Sequence, residues 1–490
     1  YQFNRGGVVF TDPRIIEKVI ADNAQYFDRS TGRERGVAFF SQASYGFRNR
    51  YILSGTLNYE GSNQLGRSRK ARWLPTWNIS GRWNVTNEHF LPATHALSNL
   101  SFRLSYGLIA GLNNIGNALP IMASTITPRF RNQDNERLIR ILSLQNSDLT
   151  WEKVYETNFG TDIGFLSNAI SLSVDLYQKN SKDLLDIVRT SGMGGEMNKY
   201  ANDASMTTRG VELVLDTRNF KTEDFTWSTS VNFAYFKQEI TSLANASNSV
   251  FNLVRETGGN VLGNPRNTLY SYDFAGLNSQ GMPLFNLKGG SRDYKDIDFQ
   301  DRDNILSYLK KEGAVDPNIT GGLSNTFRYK NWELNFLITM QAGNKIRKAP
   351  LYKGAGYDDL SVFPREFKNR WVAPGDEALT QIPGIVSQRT LNEENKAYIS
   401  RAYSAYNHST ARVVDGSFVR MKSISLSYTF DKEVLENLNL GNLTLRLQAS
   451  NPFLIYAHKD LNGQDPEFFR SGGVAYPITP QYTFTINLGI

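Results

Sequence analysis

The 490-residue chain is 40% hydrophobic, 21% charged and 12% aromatic, enough apolar surface to fold, which excludes an intrinsically disordered protein. It has no cysteine, so disulfide scaffolds, thiolate zinc sites and cysteine nucleophiles are excluded, and an oxidising compartment suits it. The net charge of +7 comes from 54 Lys and Arg mixed with 47 Asp and Glu along the whole length, unlike the clustered basic face of a nucleic-acid binder.

The chain opens at Tyr1-Gln2-Phe3 with neither Met nor the basic and apolar regions of a secretory signal, so the expectation is a signal lying upstream or a mature fragment. Asp12 as N-cap and Pro13 at the first helical position predict one short helix over Pro13 to Ala21, placed in a loop. After it, two-residue alternation dominates, putting apolar side chains on one face of a strand and polar ones on the other. Such runs lie at Tyr51 to Tyr59, Leu100 to Tyr106, and Ile170, Leu172, Val174, Leu176 opposite Ser171, Ser173, Asp175, Tyr177. They continue at Val211 to Asp216, Thr229 to Tyr235, and Trp332, Leu334, Phe336, Ile338, Met340 opposite Glu333, Asn335, Thr339, Gln341. Ile424 to Phe430, Leu443 to Leu447 and Tyr482 to Ile490 complete the series. No run approaches the roughly 18 to 20 apolar residues of a membrane-spanning helix, and mean hydropathy is -0.42.

A β-sandwich or β-propeller would also alternate. Two features point instead to an all-β, transmembrane antiparallel β-barrel of the outer-membrane type. The first is that connections alternate in length: Leu166-Ser167-Asn168 is tight and Lys179 to about Met206 long; Arg218 to Asp224 is short and Lys237 to Asn267 long. Further on, Lys330-Asn331 is tight and Asn344 to Gly416 very long; Asp431 to Leu440 is short and Ala457 to Pro480 long. Short periplasmic turns and long extracellular loops are what such a barrel has. The second is aromatic strand ends, including Phe39, Phe40, Tyr45, Phe47, Tyr51, Trp73, Trp77, Trp83, Tyr428, Phe430, Tyr482 and Phe484, which suit interfacial girdles. The count is about 14 to 16 strands.

No chemistry stands out. His89, His95, His408 and His458 are not at metal-ligand spacing. The acidic run Asp296, Asp298, Asp301, Asp303 lacks the Gly and the closing Glu of a calcium loop. The pairs Gly194-Gly195, Gly258-Gly259 and Gly289-Gly290 do not form a nucleotide fingerprint. The catalytic, cofactor and metal expectation is therefore none, and substrate-binding residues are unassigned. Tyr352, Tyr357, Phe363, Phe367, Trp371, Tyr398, Tyr403 and Tyr406 leave two readings open: stacking on sugars or peptides, or packing within loops and against a partner protein. In a barrel, Asp175, Glu212, Asn232, Glu333 and Arg446 would line the lumen.

Several strings, in order, resemble the SusC/RagA-type family of TonB-dependent outer-membrane transporters. They are Arg50 to Leu57 with Glu60-Gly61-Ser62, Leu74-Pro75 to Trp83, Leu100 to Gly107, Leu149-Thr150-Trp151-Glu152-Lys153, and Asn158 to Phe165. Lys182-Asp183-Leu184-Leu185, Arg209 to Leu213, Gly321 to Phe327, Arg370-Trp371 with Pro374-Gly375-Asp376-Glu377, Asp415 to Lys422, Ser450-Asn451-Pro452-Phe453 and Asp465-Pro466-Glu467 follow. The resemblance implies a barrel of about 22 strands around a plug. It also implies energy from TonB, a SusD-like surface lipoprotein acting as a lid, and import of an oligosaccharide or oligopeptide. A dimer of transporter–lid pairs in outer-membrane lipid is compatible with it; an enzyme and a nucleic-acid partner are not expected. Members are about twice this length. Residues 1–490 are therefore expected to be the C-terminal part of the barrel, with plug domain and signal sequence outside this chain.

Overall fold

The computed structural model describes residues 2–4, 28–30, 35–63, 72–91, 94, 96–111, 121–128, 135–143, 149–189, 198–243, 250–287, 289–297, 305–352, 363–387, 389, 396–437, 440–470 and 477–489. The expected helix at Pro13 to Ala21 lies outside these residues.

Thirteen strands form one antiparallel sheet in which each strand pairs with the next in sequence. They are β1 (Gly36–Phe47), β2 (Tyr51–Ser62), β3 (Trp73–Asn84), β4 (Leu97–Gly111), β5 (Glu152–Phe165), β6 (Ile170–Arg189) and β7 (Asn198–Lys221). The series continues with β8 (Phe225–Leu243), β9 (Ile319–Tyr329), β10 (Trp332–Ala342), β11 (Phe418–Thr429), β12 (Asn442–Ala457) and β13 (Gln481–Gly489). An uninterrupted meander of this kind excludes a propeller or a two-sheet sandwich and is the wall of a barrel. The sequence expectation of 14 to 16 wall strands is corrected to 13 among the described residues. Among the described residues, the hairpin Ile121–Pro128 with Asn135–Ser143 and the short strands in the later loops form two-stranded sheets separate from the wall.

Connections alternate as expected. Residues 48–50, 85–96, 166–169, 222–224, 330–331 and 430–441 close one end, and 63–72, 112–151, 190–197, 244–318, 343–417 and 458–480 the other. Tight hairpins twist with their strands only when turn residues take positive φ, and Arg48, Asn49, Leu166, Ser167, Asn168 and Lys330 all do so at 51 to 60°. One expectation changes: of the segment from Lys179 to Met206, expected to be a long loop, Lys179 to Arg189 and Asn198 to Met206 are strand. The β6–β7 ladder continues through it to Arg189 opposite Asn198, with irregularities around Ser181 and Leu184. The side chains turn polar because the hairpin has left the apolar band, not because the strand has stopped.

One face of the sheet carries the apolar set. Leu53, Ile79, Leu104 and Phe484 are each more than half exposed, and such a surface on a wall strand is lipid-facing. On β6 it runs through Ile170, Leu172, Val174 and Leu176, matched on β7 by Leu215, Leu213 and Val211. Polar atoms near it are satisfied in place, because in hydrocarbon an unmet donor costs several kcal/mol. Asn325 accepts from Trp227 Nε1 at 2.8 Å and Thr229 Oγ1 at 2.7 Å. The short-turn girdle is anchored likewise: Tyr51 and Trp83 donate to Glu88 at 2.6 and 3.2 Å, and Arg50 pairs with it at 3.2 Å. Phe40, counted with the girdle from sequence, alternates onto the opposite face, since Phe39 and Tyr45 share the face of Tyr59 and Leu53. Among the described residues no helix is long and apolar enough to cross a membrane.

Candidate functional site

The opposite, polar face of the wall is its lumenal face. Register places Asp175 directly across from Glu212, and Glu333, Asn232 and Arg446 share that face. Glu333 accepts from Arg328 Nε at 2.7 Å. Near the short-turn end, β3 to β6 carry a charged ladder, of which only Asp175 is among the residues expected to line the lumen. Arg103 forks onto Asp162 at 3.0 and 3.1 Å and also reaches Asp175 at 3.1 Å. Arg82 lies 3.4 Å from Asp162, and Ser173 and Ser101 donate to that carboxylate at 2.8 and 3.2 Å. Two arginines against two aspartates, each with hydrogen-bonding support, form a network that fixes four strands in register.

Gly160 makes room for it: a Cβ there would stand 2.6 Å from Asp175 Oδ1 and 2.9 Å from the Arg103 guanidinium carbon. Gly160→Val is expected to break the Arg103–Asp175 contact and cost about 1–3 kcal/mol. The check is the temperature at which the full-length barrel loses its heat-modifiable gel mobility; an unchanged temperature would refute it. Farther along the wall, the side chains of Ser171, Asp216, Ser228, Ser230, Ser324 and Thr326 line a recess of about 340 Å³.

Above the opposite end, loops 244–318 and 343–417 share a hydrophobic core built around Tyr272, Phe285, Leu351, Tyr352, Tyr403 and Tyr406. Helix α1 (Lys396–Asn407) supplies Ile399, Tyr403 and Tyr406, each 1% exposed, on one face at helical spacing. Tyr352 meets Tyr403 edge-on at 5.0 Å and 88°, and Phe363 stacks on Phe367 at 4.2 Å. Asn407 closes the junction by accepting from the Leu351 and Tyr352 amides and donating to the Tyr352 carbonyl. The two readings left open by the aromatic residues are thus decided for Tyr352, Phe367, Tyr403 and Tyr406: their rings pack within the loops. Tyr357 lies outside the described residues.

The motif Arg370-Trp371 with Pro374-Gly375-Asp376-Glu377 is a self-bracing turn. Trp371 Nε1 donates to Glu377 at 3.0 Å, the Gly375 amide to the same carboxylate at 2.8 Å, and the Val372 and Ala373 amides to Asp376. Those two backbone amides hold the Asp376 carboxyl below its usual range. Gly375 sits at φ 103°, which only glycine adopts freely.

Charges are buried in this cap. Arg412, 1% exposed, pairs with Glu366 at 2.7 Å, and Lys348 reaches Glu366 at 3.0 Å. Burial alone would raise the Glu366 carboxyl, but the Arg412 and Lys348 cations outweigh it and hold it below its usual range. Arg347 donates to the Ser409 and Tyr270 carbonyls and to Ser271, and burial pushes its guanidinium down to about 9. Burial also pushes the imidazole of His408 down. A folded-state pKa below the unfolded one stabilises above the unfolded value and is lost as pH falls through the folded one. Acidification should therefore loosen the cap in two stages, from the ordinary His range through His408 and then below the ordinary Glu range through Glu366. Hydrogen exchange of residues 396–415 measured from pH 7 to 3, with 225–243 as internal reference, checks this; equal protection throughout would refute it.

A third loop joins cap to wall. Lumenal Arg420 on β11, 3% exposed, pairs with Asp465 at 2.5 Å and with Glu467 at 3.7 Å, while Lys422 reaches Glu467 at 3.5 Å. Asp465 also accepts from the Glu467 and Ile478 amides. The Asp415 to Lys422 and Asp465-Pro466-Glu467 strings are thus two halves of one contact. The histidines do not converge: His89 meets Arg50 at the short turns, His408 Nδ1 meets the Ser404 carbonyl, and His458 accepts from the Asp460 amide. His95 and most of the acidic run from Asp298 lie outside the described residues, among which no cluster suits a metal.

A family model described as TonB dependent receptor-like, beta-barrel matches residues 2–343. The chain is similar to the TonB-dependent receptor SusC of Bacteroides thetaiotaomicron, 26% identical over 475 residues, covering 93% of this chain and 43% of the relative. It is likewise 25% identical over 488 residues to the TonB-dependent receptor P39 of Formosa agariphila, covering 90% and 44%. It superposes on the RagAB peptide transporter with a TM-score of 0.74 at 23% identity, over 93% of this chain and 48% of that one. This chain spans less than half the length of the relatives it matches, and these relatives are receptors rather than enzymes. The 13-strand wall with its lipid-facing and lumenal faces, and a family match over more than half of the chain, identify it as an outer-membrane member of the TonB-dependent receptor-like β-barrel family, with its resemblance to the SusC/RagA type borne out.

Proposed function

We propose that residues 1–490 form the C-terminal barrel wall and extracellular cap of an active importer, energised through TonB, that takes up oligosaccharides or oligopeptides beneath a SusD-like surface lipoprotein lid. The observation that carries this reading is the pairing of a wall whose lumenal face bears charged and polar side chains with a separately cored cap at its outer end. Among the described residues the wall's two edge strands, β1 and β13, each pair on one side only, and an open edge in lipid leaves backbone groups unmet. Additional strands and a plug, outside this chain, complete the barrel in this reading. The lumenal ladder and the recess at Ser228 and Ser324 then face the plug, which covers more wall than a ligand does. The cap's fixed turns face the lid, and the TonB contact belongs to the segment outside this chain.

The test is uptake of labelled glycan and peptide pools by cells carrying the full-length protein, with TonB present or deleted. TonB-dependent uptake of one pool, lost when the protein is deleted, is the expected result. Surface binding of a pool without TonB-dependent uptake would favour a receptor or scaffold barrel and overturn the import reading.

A further inference from the structure

On β6, β7 and β8 the outward apolar run ends at Leu176, Val211 and Tyr235, which lie side by side in the sheet. The next outward residues toward the long-loop end are Gln178, Arg209 and Lys237. Arg209 and Lys237 are paired across β7 and β8, and both are exposed. Like charges directly opposite one another destabilise a sheet, and among the described residues neither makes an ion pair within 4 Å. Arg209 is held by Gln178, whose Oε1 accepts from its Nε at 2.9 Å, leaving the terminal nitrogens free to point elsewhere. Glu239, paired with Thr207, follows one step farther out on the same face.

Beside the cations is a recess of about 330 Å³ lined by Tyr106, Tyr155, Asn180, Lys182, Ser205 and Thr207, with polar surface prevailing over apolar. Thr207 donates to Asn180 at 3.2 Å and Lys182 sits over the Tyr155 ring at 5.7 Å, so the recess is organised. Three features coincide: two unneutralised cations side by side, a shelf of hydroxyl and amide groups, and an apolar surface directly below. They match an amphiphile with a phosphate, a sugar headgroup and acyl chains.

We propose that this outward patch binds a phosphorylated glycolipid of the outer leaflet. Arg209 and Lys237 take a phosphate, the recess at Asn180, Lys182 and Thr207 takes the adjoining sugar, and the chains lie along Leu176, Val211 and Tyr235. The site needs the outer-membrane wall and does not depend on what the protein imports, so failure of the import reading leaves it standing.

The test uses the full-length protein extracted in mild detergent, with bound glycolipid counted by native mass spectrometry. The combined Arg209→Gln and Lys237→Gln variant is expected to retain about tenfold less glycolipid than wild type. Lys330→Gln at the opposite end should retain the wild-type amount, and the charge-preserving Arg209→Lys with Lys237→Arg should retain most of it. If the glutamine variant fails to fold, delipidated wild-type protein is titrated with bisphosphorylated lipid A, with its dephosphorylated form and with inorganic phosphate. Binding of the bisphosphorylated form alone is the expected outcome. Wild-type retention by the glutamine variant, equal binding of dephosphorylated lipid, or equally tight binding of inorganic phosphate would each overturn the proposal.

Discussion

Asp465→Ala is expected to free the 458–480 loop from the wall and to destabilise the outer end of the barrel by about 3–5 kcal/mol. The size follows from what remains. Arg420 and Asp465 are both nearly inaccessible, at 4% and 3% side-chain exposure, and removing one partner leaves a buried cation with only Glu467 at 3.7 Å. The Glu467 and Ile478 amides lose their acceptor as well. Asp465→Asn keeps an acceptor for the amides but not the charge, so its loss should be intermediate. Hydrogen exchange at residues 418–422 and 461–468 reads both variants. Wild-type protection in Asp465→Ala would show that the loop is held by its apolar contacts, Leu461 with Ile346 and Val414, rather than by the ion pair.

Tyr403→Ala is the second large effect, about 3–5 kcal/mol, confined to the cap. The ring is 1% exposed, packs edge-on against Tyr352, and its hydroxyl donates to the Gly384 carbonyl at 2.6 Å. Tyr403→Phe keeps the ring and should cost only about 1–3 kcal/mol for the unmet carbonyl. Because the cap core is drawn from loop residues and not from wall strands, the barrel's heat-modifiable mobility should persist while the cap loses protection. Simultaneous loss of both would show that cap and wall are one cooperative unit.

The wall was legible in the sequence because a strand between lipid and lumen imposes a period of two that survives any change of residue. The runs at Ile170 to Leu176 and Trp332 to Met340 fall inside β6 and β10 with the expected residues outward. The pattern misled where polarity changed without a change of backbone, as at Lys179 to Arg189 and Asn198 to Met206, which stay paired in one ladder. It also could not give the Arg103–Asp162–Asp175 ladder, because contacts between residues 59 and 72 apart depend on cross-strand register that no local pattern encodes. In the cap, Tyr352, Tyr403 and Tyr406 read equally as ligand platforms or as core. The signal that separates them is the spacing of Ile399, Tyr403 and Tyr406, which marks the buried face of a helix. Of the matched strings, Asp415 to Lys422 and Asp465 to Glu467 carried meaning that only the fold makes physical: they are cation and carboxylate of one buried contact.

The measurement that bears most directly on the proposed importer is native mass spectrometry of the complex extracted from its outer membrane, reading the mass of the subunit and of what travels with it. A subunit about twice the 55.3 kDa of this chain, accompanied by a lipoprotein, is the expected result. A stable subunit of 55.3 kDa travelling alone would contradict it, because the 13-strand wall would then have to close its own edges without further strands or a plug.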